Sequence, residues 1–319
     1  MPPSPTKENA FDIVALGEPM IEFNQQPHDR ESYRRGFGGD TSNFAIAAAR
    51  QGARVRYITR IGSDSFGKAL LELWRQEGVD AAGVVIDDNA QTGLYFVTHS
   101  EAGHAFTYLR AGSAASRMRL EDIPVQIIES ARFLHVSGIS QAISASACDA
   151  VFYAIERARA AEVKVTYDPN FRPQLWNLPR AKAIICATAG MSDYFLPSLD
   201  DVRTLSGLED LDAIHEWCLR LGARTVTLKV GPKGVITGDG KDVWRIPGNR
   251  VNAVDATGAG DCFDGAFVAR LAAGDMLPDA ARYANAAAAL TTTGYTAIEP
   301  IPRPEAVRAL LVRAEQAGR

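Results

Sequence analysis

Several features that define whole classes of protein are absent from this sequence. Cysteine is sparse: the four residues lie far apart, and no two have the close spacing of a metal-binding pair. They are Cys148, Cys186, Cys218 and Cys262. Reduced thiols in a cytoplasmic protein are therefore expected. The longest uncharged stretches, 133–148 and 283–298, fall short of the about 20 mostly apolar residues of a membrane span, so no association with a membrane is expected.

An excess of charge of one sign is also absent. Lys and Arg total 34 and Asp and Glu total 38, so the net charge is −4. A nucleic-acid partner, which a broad basic surface would bind, is therefore not expected. The five histidines show no pairing typical of a zinc site. Residues 1–10 are rich in proline and have no apolar run, which predicts a disordered tail rather than a secretion signal.

What the sequence does contain is an alternation of short apolar runs and longer helical patterns. The runs at 55–61, 133–137 and 163–168 are each followed by a segment typical of a helix. Strands that alternate with helices of this length predict parallel βαβ units. We therefore expect an α/β fold with a doubly wound, mostly parallel sheet flanked by helices, in a single domain over 11–316.

Two segments do not fit the βαβ alternation. Residues 20–37 and 91–110 have the pattern of antiparallel strands inserted between βαβ units. They predict a small antiparallel sheet beside the main one, in the place where a lid over a site would lie.

The most informative motif is D-A-T-G-A-G-D at 255–261, directly before a predicted helix. Small residues at a helix N-terminus leave the backbone N–H groups free to bind an anion, and the helix dipole favours it. Asp261 would lie in the first turn, where a carboxylate can accept a proton from a hydroxyl. The motif is not a dinucleotide fingerprint because Phe263 stands where glycine is needed, and the chain has no P-loop.

This motif resembles the C-terminal signature of the ribokinase-like (pfkB-type) carbohydrate kinases, and G-G-D-T-S-N at 38–43 resembles their N-terminal one. The similarity covers roughly residues 11–310. It implies ATP as phosphoryl donor, Mg²⁺ as cofactor and Asp261 as catalytic base. It also implies an anion hole formed by the backbone of Ala256, Thr257, Gly258, Ala259 and Gly260.

Within the family, the segments 92–95, 108–115, 137–139 and 168–176 are most similar to the 2-keto-3-deoxygluconate kinases. Arginine suits such an acidic substrate because its guanidinium binds a carboxylate through two hydrogen bonds. The resemblance implies these substrate contacts: Gly38, Gly39, Asp40, Asn43, Tyr95, Tyr108, Arg110, Ile139 and Arg172.

The segments expected to bind the nucleotide match the family pattern less closely than those expected to bind the sugar. The resemblance implies contacts from Ser198, Lys229, Gly231, Gly234 and Asn285. The family usually has N-x-x-E where this chain has Ser198 and Asp201, so Asp201 is expected to serve Mg²⁺ through water. Whether a monovalent cation such as K⁺ binds beside Asp255 is left open by the sequence.

The sequence thus predicts ATP-dependent phosphorylation of the primary hydroxyl of a sugar acid, with 2-keto-3-deoxygluconate as the substrate. A kinase for a neutral sugar, of the ribokinase or fructokinase type, is the nearest alternative. A sugar-binding protein without activity and a Rossmann oxidoreductase are further alternatives, but the first would have lost Asp261 and the second lacks its fingerprint. By resemblance, a homo-oligomer formed through the lid strands is expected.

Overall fold

The computed structural model describes residues 10–26, 29–100 and 103–317; apart from residue 10, the tail predicted at 1–10 lies outside them. The strands in these ranges are β1 (Phe11–Leu16), β2 (Met20–Gln26), β3 (Asp29–Gly38), β4 (Val55–Gly62), β5 (Val79–Asp87), β6 (Leu94–Ser100), β7 (Gly103–Leu109), β8 (Ala131–Ser137), β9 (Lys164–Asp168), β10 (Tyr194–Phe195), β11 (Thr225–Lys229), β12 (Gly234–Gly238) and β13 (Val243–Pro247). The helices are α1 (Asp40–Arg50), α2 (Ser65–Glu77), α3 (Val125–Glu129), α4 (Gly138–Ala142), α5 (Ala145–Ala160), α6 (Leu178–Met191), α7 (Leu199–Ser206), α8 (Leu211–Arg220), α9 (Ala259–Ala272), α10 (Leu277–Thr291) and α11 (Pro304–Ala317).

The large sheet has nine strands in the order β13-β12-β11-β10-β9-β8-β1-β4-β5. All its neighbours are parallel except the β11–β12 and β12–β13 pairs, which form the antiparallel edge. The predicted doubly wound, mostly parallel sheet is therefore confirmed. Strand β5, which the sequence pattern did not predict, pairs with β4 and forms the other edge.

Both faces of this sheet are covered by helices, so a central strand such as β1 is buried on both sides. On β1, Ile13 and Ala15 belong to the core beneath α1, α2, α9, α10 and α11, whereas Val14 and Leu16 belong to the core beneath α5, α6, α7 and α8. Successive side chains of a strand point to opposite faces, so one short run contributes to two cores.

The close contact between α1 and α9 depends on a glycine. A Cβ on Gly265 would lie 2.5 Å from the carbonyl oxygen of Phe44 and 2.7 Å from the Cβ of Ala47. The two helices can therefore approach until their backbones nearly touch. This approach brings the N-terminal turn of α1 beside that of α9, where the motif residues of both signatures lie.

The small sheet has the order β3-β2-β6-β7 and stands beside the large one. Two antiparallel hairpins, β2–β3 and β6–β7, are joined by the parallel pair β2–β6. The predicted small sheet is thus confirmed, with one parallel junction at its centre. In the described part of the chain, no helix is long and apolar enough to cross a membrane, and all four cysteines are free.

Candidate active site

A cavity of about 920 Å³ opens at the carboxyl ends of the central strands, between the two sheets. Asp168 ends β9 and Lys229 ends β11, and both line the cavity. The small sheet contributes Met20 and Tyr95 to the opposite wall. This is the edge at which doubly wound sheets bind their ligands, and nearly all the residues that the sequence singled out meet there.

The N-terminus of α9 faces the cavity and has the backbone geometry that an anion site requires. Gly258 precedes the helix with φ of 75°, and a Cβ there would lie 2.7 Å from the carbonyl oxygen of Ala297. Glycine is needed both for the left-handed conformation and for the close approach. The first backbone N–H groups of a helix have no partner within it, so they can bind an anion.

Two of the five amides expected to form the anion hole are already hydrogen-bonded. The Thr257 amide donates to the Asp255 carboxylate at 2.9 Å. The Ala259 amide donates to the Ala256 carbonyl at 3.2 Å. Among the described residues, no acceptor is hydrogen-bonded to the amides of Ala256, Gly258 and Gly260. These three are therefore the ones free to bind a phosphoryl group.

Asp261 lies in the first turn of α9 and lines the same cavity. The side-chain amide of Asn43, from the N-terminal turn of α1, donates to its carboxylate at 2.8 Å. Burial raises the pKa of Asp261 to about 7, and repulsion by Asp40 acts in the same direction. A general base is most effective when its pKa lies near the working pH, so Asp261 has the location and the basicity for the role.

Lys229 lies below the anion site between two buried carboxylates. Its ammonium donates to Asp168 at 2.9 Å and to both carboxylate oxygens of Asp264, the nearer at 2.9 Å. Burial disfavours the charged ammonium, but the two carboxylates outweigh it and raise the pKa of Lys229. The predicted nucleotide contact from Lys229 therefore comes from a side chain whose charge is already paired.

Arg110, at the end of β7, is paired with a residue that the sequence motifs did not indicate. Its guanidinium donates through Nη2 to the carboxylate of Glu18, and both side chains are buried. Ser113 also donates to Glu18, at 2.7 Å. The Nε of Arg110 is buried and, among the described residues, has no hydrogen-bond partner.

Tyr95 is held in a similar way. Its hydroxyl donates to the buried carboxylate of Glu22 at 2.6 Å. A Cβ on Gly38 would lie 2.4 Å from that hydroxyl oxygen. Gly38 does not line the cavity; its contribution is to leave room for Tyr95.

Arg172 lies in the segment after β9 and lines the same cavity. Its guanidinium donates to the carbonyl of Phe171 at 3.0 Å, and it makes no ion pair within the described ranges. Arg172 is therefore the cavity cation with its charge unpaired. It lies in the same lining as Arg110, Tyr108 and Ile139.

Ser198 and Asp201 have a structural role that explains their spacing. The Ser198 hydroxyl accepts from the amide of Asp201 at 3.3 Å and so caps the N-terminus of α7. Burial, followed by repulsion from Asp168, raises the pKa of Asp201 to about 6. A buried carboxylate on the cavity wall suits a hard cation such as Mg²⁺, which keeps several of its waters. Among the described residues, no group of three or more His, Cys, Asp or Glu side chains could hold a metal ion.

Four predicted site residues lie outside the cavity lining: Gly38, Gly234, Ala259 and Asn285. Gly234 has φ of 106° and is in close contact with β13. The side-chain amide of Asn285, on α10, donates to the carbonyl of Pro247 at 2.8 Å. The remaining predicted residues line the cavity: Gly39, Asp40, Asn43, Tyr95, Tyr108, Arg110, Ile139, Arg172, Ser198, Asp201, Lys229, Gly231, Ala256, Thr257, Gly258, Gly260 and Asp261.

The sequence motifs missed the buried acids behind these side chains. Glu18 and Glu22 lie in the otherwise apolar segment G-E-P-M-I-E-F, and acidic residues in such a run are a signal that could have been used. Asp264 follows Asp261 by one helical turn, so both point to the same side of α9. Asp168 also closes the turn after β9 by accepting from the amide of Asn170 at 3.0 Å.

The doubly wound fold, the helix N-terminus that faces the cavity and the adjacent carboxylate are the features that the resemblance predicts for a carbohydrate kinase. The sequence model of the pfkB family of carbohydrate kinases matches residues 10–304, so this chain belongs to that family. The resemblance read from the motifs is therefore confirmed.

Two kinds of sugar kinase are similar over almost the whole chain. The 2-dehydro-3-deoxygluconokinase of Thermoproteus tenax is 34% identical over 314 residues, covering 95% of each protein. Fructokinase-1 of Zea mays is 30% identical over 320 residues, covering 95% of this chain and 98% of the relative.

Among solved structures, the fructokinase of Xylella fastidiosa with bound ATP superimposes with a TM-score of 0.87 at 25% identity, over 95% of this chain and 99% of that one. The fructokinase of Vibrio cholerae O395 with fructose, ADP and calcium bound has a TM-score of 0.85 at 26% identity, over 94% of this chain and 99% of that one.

Proposed function

We propose that this kinase transfers the γ-phosphoryl group of ATP to the primary hydroxyl of a sugar acid, converting 2-keto-3-deoxygluconate into 2-keto-3-deoxy-6-phosphogluconate. The observation that carries the proposal is that two arginines, Arg110 and Arg172, line the cavity that holds Asp261. A neutral sugar needs no cation, whereas a carboxylate binds arginine strongly. The similarity to the kinase of Thermoproteus tenax supports the same substrate.

In the proposed mechanism, Asp261 accepts the proton of the primary hydroxyl as its oxygen bonds to the γ-phosphorus. The bond from that phosphorus to the bridging oxygen breaks, and ADP leaves. The free amides of Ala256, Gly258 and Gly260 would face the charge that develops on the phosphoryl oxygens. The protein does little covalent chemistry, so the rate depends on positioning and charge neutralisation.

Two buried acceptors support a polyhydroxy substrate beside Asp261. Within the described residues, Oδ1 of Asp40 and Oδ1 of Asn43 are buried without a hydrogen-bond partner, and both side chains line the cavity. Unpartnered buried acceptors are costly. Substrate hydroxyls that donate to these oxygens would remove that cost.

We assign the nucleotide to the side of the cavity formed by Ser198, Lys229 and Gly231, with Gly234 and Asn285 behind it. Asp201 would hold Mg²⁺ through water, and the ion would neutralise charge on the ATP phosphates when bound. A monovalent cation beside Asp255 remains part of the proposal. Asp255 accepts from the Thr296 amide, and the nearby hydroxyl of Thr296 is buried without a partner among the described residues.

The proposal includes the rest of the molecule. Residues 11–316 act as one domain, and the small sheet acts as its lid, which excludes water as a competing acceptor. The outer strands of that lid pair across subunits in a homo-oligomer. The enzyme works in the cytoplasm, where ATP is supplied.

A neutral-sugar kinase is the second candidate, and one observation favours it. Glu18 already pairs with Arg110, so Arg172 is the cavity arginine left without an ion pair in the described structure. Two fructokinases also share the fold over nearly the whole chain. One net cation is weaker evidence for an acidic substrate than two.

A substrate panel decides between the two. Initial rates with 2-keto-3-deoxygluconate, fructose and ribose are measured by coupled ADP detection. We expect the highest kcat/KM for the sugar acid; a higher value for fructose or ribose would refute the acid assignment. Arg172→Gln should raise KM for the acid by roughly 10- to 100-fold, the value of a charge-assisted hydrogen bond. Because Arg172 also favours the ionised form of Asp201, the same variant should change KM for ATP far less than KM for the acid.

Asp261→Asn tests the base separately from the substrate. The amide keeps the shape of the carboxylate but cannot accept the proton. We expect nearly complete loss of kcat, with sugar-acid binding by calorimetry retained. An active Asp261→Asn enzyme would refute the assignment of the base.

A further inference from the structure

Glu18 is a buried carboxylate for which the mechanism above has no role. It follows β1 directly and precedes β2, at the junction between the large and small sheets. Its side chain is fully buried, yet both of its oxygens accept hydrogen bonds, one from Arg110 and one from Ser113. A buried acid is costly unless it is paired, so the presence of Glu18 behind the cavity lining calls for a reason.

The reason lies in Arg110, the residue with which Glu18 is paired. Among the described residues, the Arg110 side chain makes no other hydrogen bond, and its guanidinium carbon lies 5.6 Å from the centre of the Tyr108 ring. Because this long side chain has a single hydrogen-bond partner, Glu18 determines its orientation. The anchor uses Nη2 and leaves the buried Nε–H without a partner.

We propose that Glu18 is a positioning residue for Arg110: it holds the guanidinium by Nη2 so that the donors left free meet the carboxylate of a sugar acid. Ser113 in turn orients Glu18. The inference rests on the proposed function and deepens it, because it assigns the two arginines different tasks. Arg110, whose charge is neutralised by Glu18, orients the carboxylate of the substrate through its hydrogen bonds. Arg172 supplies the net positive charge.

The test is a double-mutant cycle between Glu18→Ala and Arg110→Gln, read as KM for the sugar acid and KM for ATP. We expect Glu18→Ala to raise KM for the acid at least about 10-fold, the value of one hydrogen bond to a charged group, and to leave KM for ATP unchanged. In the Arg110→Gln background, Glu18→Ala should have no further effect on KM for the acid. A purely structural role would change both KM values and would persist in that background.

Two milder variants keep the test decisive if Glu18→Ala does not fold. Ser113→Ala removes one oxygen and loosens Glu18, so it should raise KM for the acid about two- to fivefold, and only when Arg110 is present. Glu18→Gln keeps an acceptor for Nη2 and should keep KM within about threefold of wild type. Glu22→Gln is the matched control, because it removes a buried carboxylate that contacts Tyr95 rather than Arg110; its effect should persist in Arg110→Gln.

The outcomes separate the two claims. A wild-type enzyme that prefers a neutral sugar contradicts the proposed function itself. A wild-type enzyme that prefers the sugar acid, in which the Glu18 or Ser113 variants and Arg110→Gln act independently on KM, overturns the positioning role alone. Equal rises of KM for the acid and for ATP would overturn it as well.

Discussion

The hydrogen bond from Asn43 to Asp261 makes a quantitative prediction about the pH dependence of the reaction. Asp261 must be ionised to accept a proton, and its pKa is raised to about 7. Activity is therefore lost as the pH falls through 7: about nine-tenths of the base is ionised at pH 8 and about one-tenth at pH 6. The amide of Asn43, 2.8 Å away, stabilises the ionised form. Asn43→Ala removes that stabilisation and should move the acidic limb to higher pH.

The size of the movement follows from the strength of the bond. A hydrogen bond to a charged group contributes about 1.5–3 kcal/mol, and about 1.4 kcal/mol corresponds to one pH unit. The midpoint of the Asn43→Ala profile should therefore rise by roughly one to two pH units. At pH 7 this lowers the ionised fraction about 5- to 50-fold, and the deficit should narrow as the pH rises to 9.

The assay is the pH profile of kcat/KM for the sugar at saturating ATP, because that ratio reports ionisation before the sugar binds. Ionisations of the nucleotide are common to all variants and cancel in the comparison. Asn170→Ala is the matched control, since its amide donates to Asp40 at 3.0 Å and not to Asp261. Its midpoint should stay or fall, because a more easily protonated Asp40 repels Asp261 less.

Three results would refute this reasoning. A midpoint that does not move in Asn43→Ala would mean that the bond does not set the pKa of Asp261. A constant loss at every pH would show that Asn43 acts through substrate binding alone. An equal upward movement in Asn170→Ala would show that the effect is not specific to the bond.

Three further predictions concern stability and the small sheet. Lys229→Met leaves Asp168 and its neighbour Asp264 without their shared cation, so the free energy of unfolding in urea should fall by about 3–5 kcal/mol; a fall below 1 kcal/mol would contradict the pairing. Gly265→Ala forces a Cβ against the backbone of α1, and we expect a loss of about 1–3 kcal/mol with an unchanged denaturant slope. Tyr95→Phe leaves the buried Glu22 without its 2.6 Å donor and should cost about 1–3 kcal/mol, whereas Tyr108→Phe, whose ring is exposed, should cost less than half as much.

The fold was predictable where local pattern determines it. Alternating apolar runs and helical patterns predicted the doubly wound sheet, and the predicted runs at 55–61, 133–137 and 163–168 agree with β4, β8 and β9 within two residues. Strand β5 was missed because its sequence, V-D-A-A-G-V-V-I-D, contains glycine, alanine and acidic residues that are poor in strands. Helix α7 was missed because it has only eight residues. The strand order, with β1 between β8 and β4, depends on long-range packing that no local pattern reveals.

For the site, the motifs located the residues on the cavity surface but not those behind them. Asp261 and the glycines of α9 carry a recognisable pattern because the chemistry requires them at fixed spacing. Glu18 and Asp264 act through partners from distant parts of the chain, so only the folded structure shows the pairing. The amides of Thr257 and Ala259 fall in the motif as well, but their hydrogen bonds can be counted only in three dimensions.

The small sheet has a consequence for how this protein moves. Its own buried cluster in the described chain consists of Met20, Tyr95 and Val97, and two of these three line the cavity. A hydrophobic cluster of this size gives a four-stranded sheet little independent stability, so its amide hydrogens should exchange through local openings rather than global unfolding. Under the proposed function, a bound sugar would cover the surfaces of Met20 and Tyr95 that line the cavity. We therefore expect sugar binding to increase the exchange protection of β6 and β7.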